Sequence, residues 1–105
     1  MKTVQFLGDA LKKLKSFPEN VRIDAGRELR RLQEGLDPRD WKPMPDIGRG
    51  VREIRIADRS GAFRIIYVAS IGESIYVLHA FQKKTQKTAT ADLNAAKLRY
   101  KLIGN

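Results

Sequence analysis

The chain has 105 residues, 42% hydrophobic and 31% charged, with a formal net charge of +9 and no cysteine. That is enough for one domain with a real core, 1–105, and too little for two. It excludes disulfides and thiolate metal sites. No apolar run approaches the ~18 residues of a membrane span, and the first residues lack the apolar region of a signal peptide, so a cytoplasmic protein with no membrane partner is expected.

Residues 1–7 read as an N-terminal edge strand. Leu7, Ala10, Leu11, Leu14 and Phe17 recur at spacings of three and four, the stripe of an amphipathic helix over about 9–15. Ser16-Phe17-Pro18-Glu19 has the form of a capping box with a proline in the first turn. A second helix, about 18–34, follows with the stripe Val21, Ala25, Leu29, Leu32 and Leu36, and Gly35 ends it. The two make an αα-hairpin whose Arg22, Arg27, Arg30 and Arg31 lie largely off the stripe.

Residues 36–50 hold three prolines and Gly48 and Gly50, and read as a loop, with Trp41 anchoring it on the core. Three strands follow, 51–57, 62–69 and 74–81, rich in β-branched and aromatic residues. The turn signal Asp58-Arg59-Ser60-Gly61 separates the first two, and Ser70-Ile71-Gly72-Glu73 the next pair. Connections this short imply an antiparallel meander. A last helix, about 91–101, carries Leu93, Ala96 and Tyr100. The expected class is α+β: an antiparallel sheet of three meander strands plus the N-terminal edge strand, an αα-hairpin and a C-terminal helix, with the helices on one face.

Pairing Asp58 with Gly61 sets Arg55 opposite Arg64. Pairing Ala69 with Ser74 sets Arg64 opposite His79. Side chains alternate faces along a strand. Ile54, Ile56, Phe63, Ile65, Tyr67, Tyr76, Leu78 and Ala80 then form the core face. Glu53, Arg55, Arg64, Ile66, Val77, His79 and Phe81 form the other. The basic row Arg55–Arg64–His79 on that second face is unfavourable unless something anionic binds it. The competing readings are that Glu53 and loop carboxylates neutralise it, or that a register slip breaks it. Truncating Arg64 is expected to spare the fold, because the row points away from the core.

The basic excess is uneven. Residues 79–105 carry six of the 21 basic side chains and only one of the 12 acidic ones. Such a balance favours a polyanionic partner, nucleic acid first. There is no Gly-rich phosphate loop, no nucleophile motif and no cluster of metal ligands, and a single histidine argues against a zinc site; no cofactor is expected. Arginines, one imidazole, an aromatic and a carboxylate suit metal-free RNA cleavage. A 2′-hydroxyl attacks the adjacent phosphate, while an acid, a base and a charge clamp assist. Phe81 could stack on an unpaired base.

Gly50-Val51-Arg52-Glu53-Ile54-Arg55, Phe63-Arg64-Ile65-Ile66-Tyr67-Val68 and Val77-Leu78-His79-Ala80-Phe81-Gln82-Lys83-Lys84-Thr85-Gln86-Lys87-Thr88 resemble the phage-derived HigB-like branch of the RelE/ParE toxin superfamily. Gln33-Glu34-Gly35 and Trp41-Lys42-Pro43 add to the likeness. The resemblance implies a RelE-like fold and the toxin of a type II toxin–antitoxin system. It implies an endoribonuclease that cuts mRNA on the ribosome and stops translation, and a HigA-like antitoxin partner with a helix-turn-helix domain. By position, Arg64 matches the strand arginine that contacts the scissile phosphate, and Arg55 is a looser match. The segment after His79 lacks the tyrosine some relatives use. Proton transfer is left to His79, Lys83, Lys84 and Glu53, and RNA contacts to Phe81, Lys83, Lys84 and Lys87. The superfamily also contains toxins that bind and inhibit gyrase, so that non-enzymatic activity is the alternative.

Overall fold

The computed structural model describes residues 1–103, and of Ser70 and Ile71 the backbone only. The elements run β1 (Thr3–Phe6), α1 (Ala10–Lys15), α2 (Glu19–Gln33), β2 (Trp41–Pro43), β3 (Val51–Asp58), β4 (Gly61–Ile71), β5 (Ser74–Lys83) and α3 (Thr90–Ile103). One five-stranded sheet has the order β1-β5-β4-β3-β2. The meander is antiparallel as expected. β1 is an edge strand too, but it runs parallel to β5. Among the described residues no helix is long and apolar enough to cross a membrane.

Local chemistry explains most element ends. Gly35, at φ +83°, closes α2 in a Schellman motif: its N–H donates to the Leu32 carbonyl and that of Leu36 to Arg31. The Ser16 capping box does not form. Pro18 stands at the N-cap of α2, and the Ser16 hydroxyl donates at 2.6 Å to the Lys13 carbonyl, where it satisfies the end of the short α1 instead. Leu11 and Leu36, expected on the stripes, are exposed.

The 36–50 segment contains a strand that the prolines disguised. β2 pairs antiparallel with β3, Lys42 opposite Glu53. Pro43 is tolerated because β2 is the sheet edge. Trp41 is outside both apolar clusters; it lies half-buried with the Arg52 guanidinium 4.0 Å over its ring.

The helices do not share a face. α1 and α2 cover one side of the sheet, over Ile54, Ile56, Phe63, Ile65, Tyr67, Ile75, Val77 and Ala80. α3 covers the other, where Val51, Ile66, Val68, Leu78 and Phe81 pack with Ala96 and Leu93. The expected open face is therefore a second core. Each fully buried side chain of this size contributes roughly 1.5–3 kcal/mol, so neither side could be left bare.

A register shift between Ile66 and Tyr67 corrects the faces of β5. His79 pairs with Ile66 and Val77 with Tyr67, so Leu78 has no partner across the strand. At such a bulge, neighbouring side chains fall on one side. Leu78 and His79 both face α3, Tyr76 joins them, and Val77 enters the α1–α2 core.

Candidate nucleic-acid interface

Arg55 and Arg64 are cross-strand partners, as the first hairpin turn dictates. The neutralised reading of the row holds, because each has its own carboxylate. Arg39 docks on the buried Glu28, its N–H and Nε donating to the two carboxylate oxygens at 2.7 and 2.8 Å. That places Asp40 beside β3, where Arg55 donates to Oδ1 from Nε and Nη2 at 3.0 and 2.8 Å. This pair is well exposed and worth little.

Arg64 is different. Its side chain is 14% exposed, and its Nε lies 3.5 Å from Oε1 of Glu53, which is fully buried. Among the described residues, neither Glu53 oxygen, nor Arg64 Nε, has a hydrogen bond. The two charges hold each other without the hydrogen bonds that normally offset desolvation. Glu53 thus has no route to a ligand except through Arg64. Arg64 Nη1 donates to the Phe63 carbonyl at 3.0 Å.

His79 is not in the row. The register puts Phe81 opposite Arg64. Phe81 is only 6% exposed, its ring 5.4 Å from the His79 ring and roughly parallel to it, so it is not an open stacking platform. His79 is buried in a polar chain under α3. Arg99 Nη1 donates to the Leu78 carbonyl at 2.9 Å and reaches His79 Nδ1 at 3.1 Å. Arginine has only donors, so Nδ1 accepts and Nε2 carries the proton, which goes to Asp92 Oδ1 at 2.7 Å. Arg99 Nη2 donates to Asp9 Oδ1 at 2.7 Å, and this hydrogen bond holds the Asp9 carboxyl below its usual range. Both ring nitrogens of His79 are therefore occupied.

Gly8 makes room for this chain. At φ +54°, a Cβ there would overlap the Arg99 guanidinium. Gly8→Ala should cost about 1–3 kcal/mol, from left-handed strain and from pushing Arg99 off Asp9 and His79. Urea unfolding measures it, and an unchanged midpoint would show that Arg99 is held elsewhere.

The basic tract that begins at the end of β5 divides between two clefts. Lys83 and Lys87 line one of about 440 Å³ with Lys42, Met44, Pro45 and Leu93. Lys42 pairs with Glu53, and Lys83 with Ala62, two residues from Arg64, so both strand lysines share the face of the Glu53–Arg64 pair. Lys84 lines the other, of about 320 Å³, with Lys13, Phe63, Phe81, Gln82 and Asp92. Residue-by-residue reading missed Lys13, Lys42, Asp92 and Arg99. Only Lys42 had a signal, its place in the Trp41-Lys42-Pro43 string. Asp92 and Arg99 join through hydrogen bonds between residues 13 to 90 positions apart, and Lys13 by lining the cleft with Lys84.

A five-stranded mixed sheet between an αα-hairpin and a single helix is the fold this chain shares with solved RelE toxin structures. The chain superposes on the isolated RelE toxin of Escherichia coli with a TM-score of 0.57 at 20% identity, covering 93% of this chain and 98% of that one. It also matches the RelBE2 toxin–antitoxin complex of Mycobacterium tuberculosis (TM-score 0.53, 22% identity, 78% and 98% covered). The intact E. coli RelBE toxin–antitoxin complex matches with a TM-score of 0.54 at 20% identity, 81% and 100% covered. Within that fold, the model of the family described as phage-derived protein Gp49-like matches residues 12–101, and the chain belongs to that family. No curated protein matches it in sequence.

Proposed function

We propose that this protein is the toxin of a type II toxin–antitoxin system and acts as an endoribonuclease on mRNA at the ribosome. The observation that carries the reading is Arg64: a strand arginine on the lysine-bearing sheet face of a RelE-type fold, backed by a buried carboxylate. Its guanidinium can grip two phosphate oxygens as the phosphate gains charge. Lys42, Lys83 and Lys87 hold the flanking backbone. Arg55 supplies further positive charge once Asp40 releases it, and Lys84 protonates the leaving oxygen. Glu53 holds Arg64 in place and does not itself meet the RNA. His79 orients its neighbours, and Phe81 forms an apolar wall. Two structural neighbours are toxin–antitoxin complexes. A cognate antitoxin is the corresponding partner here, with a helix-turn-helix domain as in HigA-like proteins.

Induced expression without the antitoxin should arrest growth and produce new transcript 5′ ends within coding regions. Co-expression of the antitoxin should prevent both. Normal growth at high soluble expression would remove the toxin reading. Arrest with intact transcripts and lost DNA supercoiling would replace the nuclease by a gyrase-binding toxin.

A further inference from the structure

Among the described residues, the only carboxylate lining the Lys13–Lys84 cleft is Asp92, in the first turn of α3. Its side chain is 25% exposed, and Oδ1 is pinned by His79 Nε2 at 2.7 Å. His79 is in turn fixed through Nδ1 by Arg99, and Arg99 by Asp9. A four-residue chain running from the α1 entry through the β5 bulge thus fixes one acid group at the rim of a cationic cleft. Phe81 joins this cleft to the phosphate site proposed above: it lines the cleft and is the cross-strand partner of Arg64.

Resting on the nuclease reading, we propose that Asp92 is the general base of the cleavage, with His79, Arg99 and Asp9 as positioning residues behind it. Asp92 takes the proton of the RNA 2′-hydroxyl. The 2′-oxygen bonds to phosphorus as the bond from phosphorus to the 5′-oxygen breaks. Lys84 gives a proton to that leaving oxygen, leaving a 2′,3′-cyclic phosphate and a free 5′-hydroxyl. Exchange with water returns Asp92 to carboxylate and Lys84 to ammonium. The charged groups facing Asp92 are His79 from β5, Lys84 beyond it and Lys13 from α1, with Arg99 behind His79. The two lysines favour the anionic substrate.

The test uses the full chain, an RNA oligonucleotide containing a site cut by the wild type, and single-turnover rates across pH. Asp92→Asn should slow cleavage about 10²–10⁴-fold, the range for loss of a positioned base. RNA affinity should be unchanged or tighter, and the rate should no longer rise from acid pH. His79→Gln, whose amide can still donate to Asp92, should keep much of the rate that His79→Ala loses. Because Asp92→Asn could loosen α3, Lys84→Met is the second variant: Lys84 is exposed, so the fold should hold while the rate falls. A folded Asp92→Asn or Lys84→Met protein that cuts at the wild-type rate with an unaltered pH profile overturns the inference. A folded wild type that cuts no RNA, free or ribosome-bound, overturns the nuclease reading itself, and this inference falls with it.

Discussion

Arg64→Ala will lose folding stability and RNA cleavage together, and the two losses will separate in a double variant. Glu53 is fully buried with neither oxygen hydrogen-bonded, so Arg64 is its only compensating charge among the described contacts. Removing one partner of such a pair costs about 3–5 kcal/mol, because the other charge stays buried and alone. The sequence reading has Arg64 pointing away from the core and the fold surviving its truncation; a stability loss is expected instead because its side chain is 14% exposed and pairs with the fully buried Glu53. Cleavage should fall about 10²–10³-fold, the scale for removing one donor that meets charge developing in the transition state. Arg64→Lys should restore part of the stability and little of the rate, since an ammonium cannot reproduce the planar fork. Adding Glu53→Gln to Arg64→Ala should recover most of the stability and none of the rate. Denaturant unfolding and single-turnover cleavage measure the two columns of this cycle. A folded Arg64→Ala protein with full toxicity would take Arg64 out of the active site.

The salt dependence of RNA binding should fall by about three units of log affinity against log salt when Lys42, Lys83 and Lys87 are replaced together by glutamine, about one per phosphate contact. Over a fourfold rise in salt, the wild type should then lose roughly 60-fold more affinity than the triple variant. These three lysines line one cleft. Lys84 lines the other, so a triple variant built from the sequence cluster Lys83, Lys84 and Lys87 should lower the slope as well but slow cleavage far more. An unchanged slope in the Lys42, Lys83, Lys87 variant would move the RNA path off this cleft.

What the sequence determined was decided within a few residues. Gly35 had to end α2, because glycine takes the left-handed position of a Schellman motif without strain. Asp58-Arg59-Ser60-Gly61 had to turn, and it set the β3–β4 register, which put Arg55 opposite Arg64. The crowding of lysines after β5 was also visible as composition. One signal of the second core was present and went unread. Ile65-Ile66-Tyr67-Val68 is apolar at every position, which a strand needs only when both of its faces are covered.

The tertiary structure alone decided the side of the sheet on which α3 packs, the bulge that turns His79 and Leu78 to the same face, and the grouping of Asp9, His79, Asp92 and Arg99. Turn chemistry and periodicity act over one or two turns of chain. A polar chain that joins residues up to 90 positions apart depends on which surfaces meet once both faces of the sheet are buried. The same burial turned a row of exposed cations into one neutralised surface pair, one buried ion pair and a histidine with no free nitrogen.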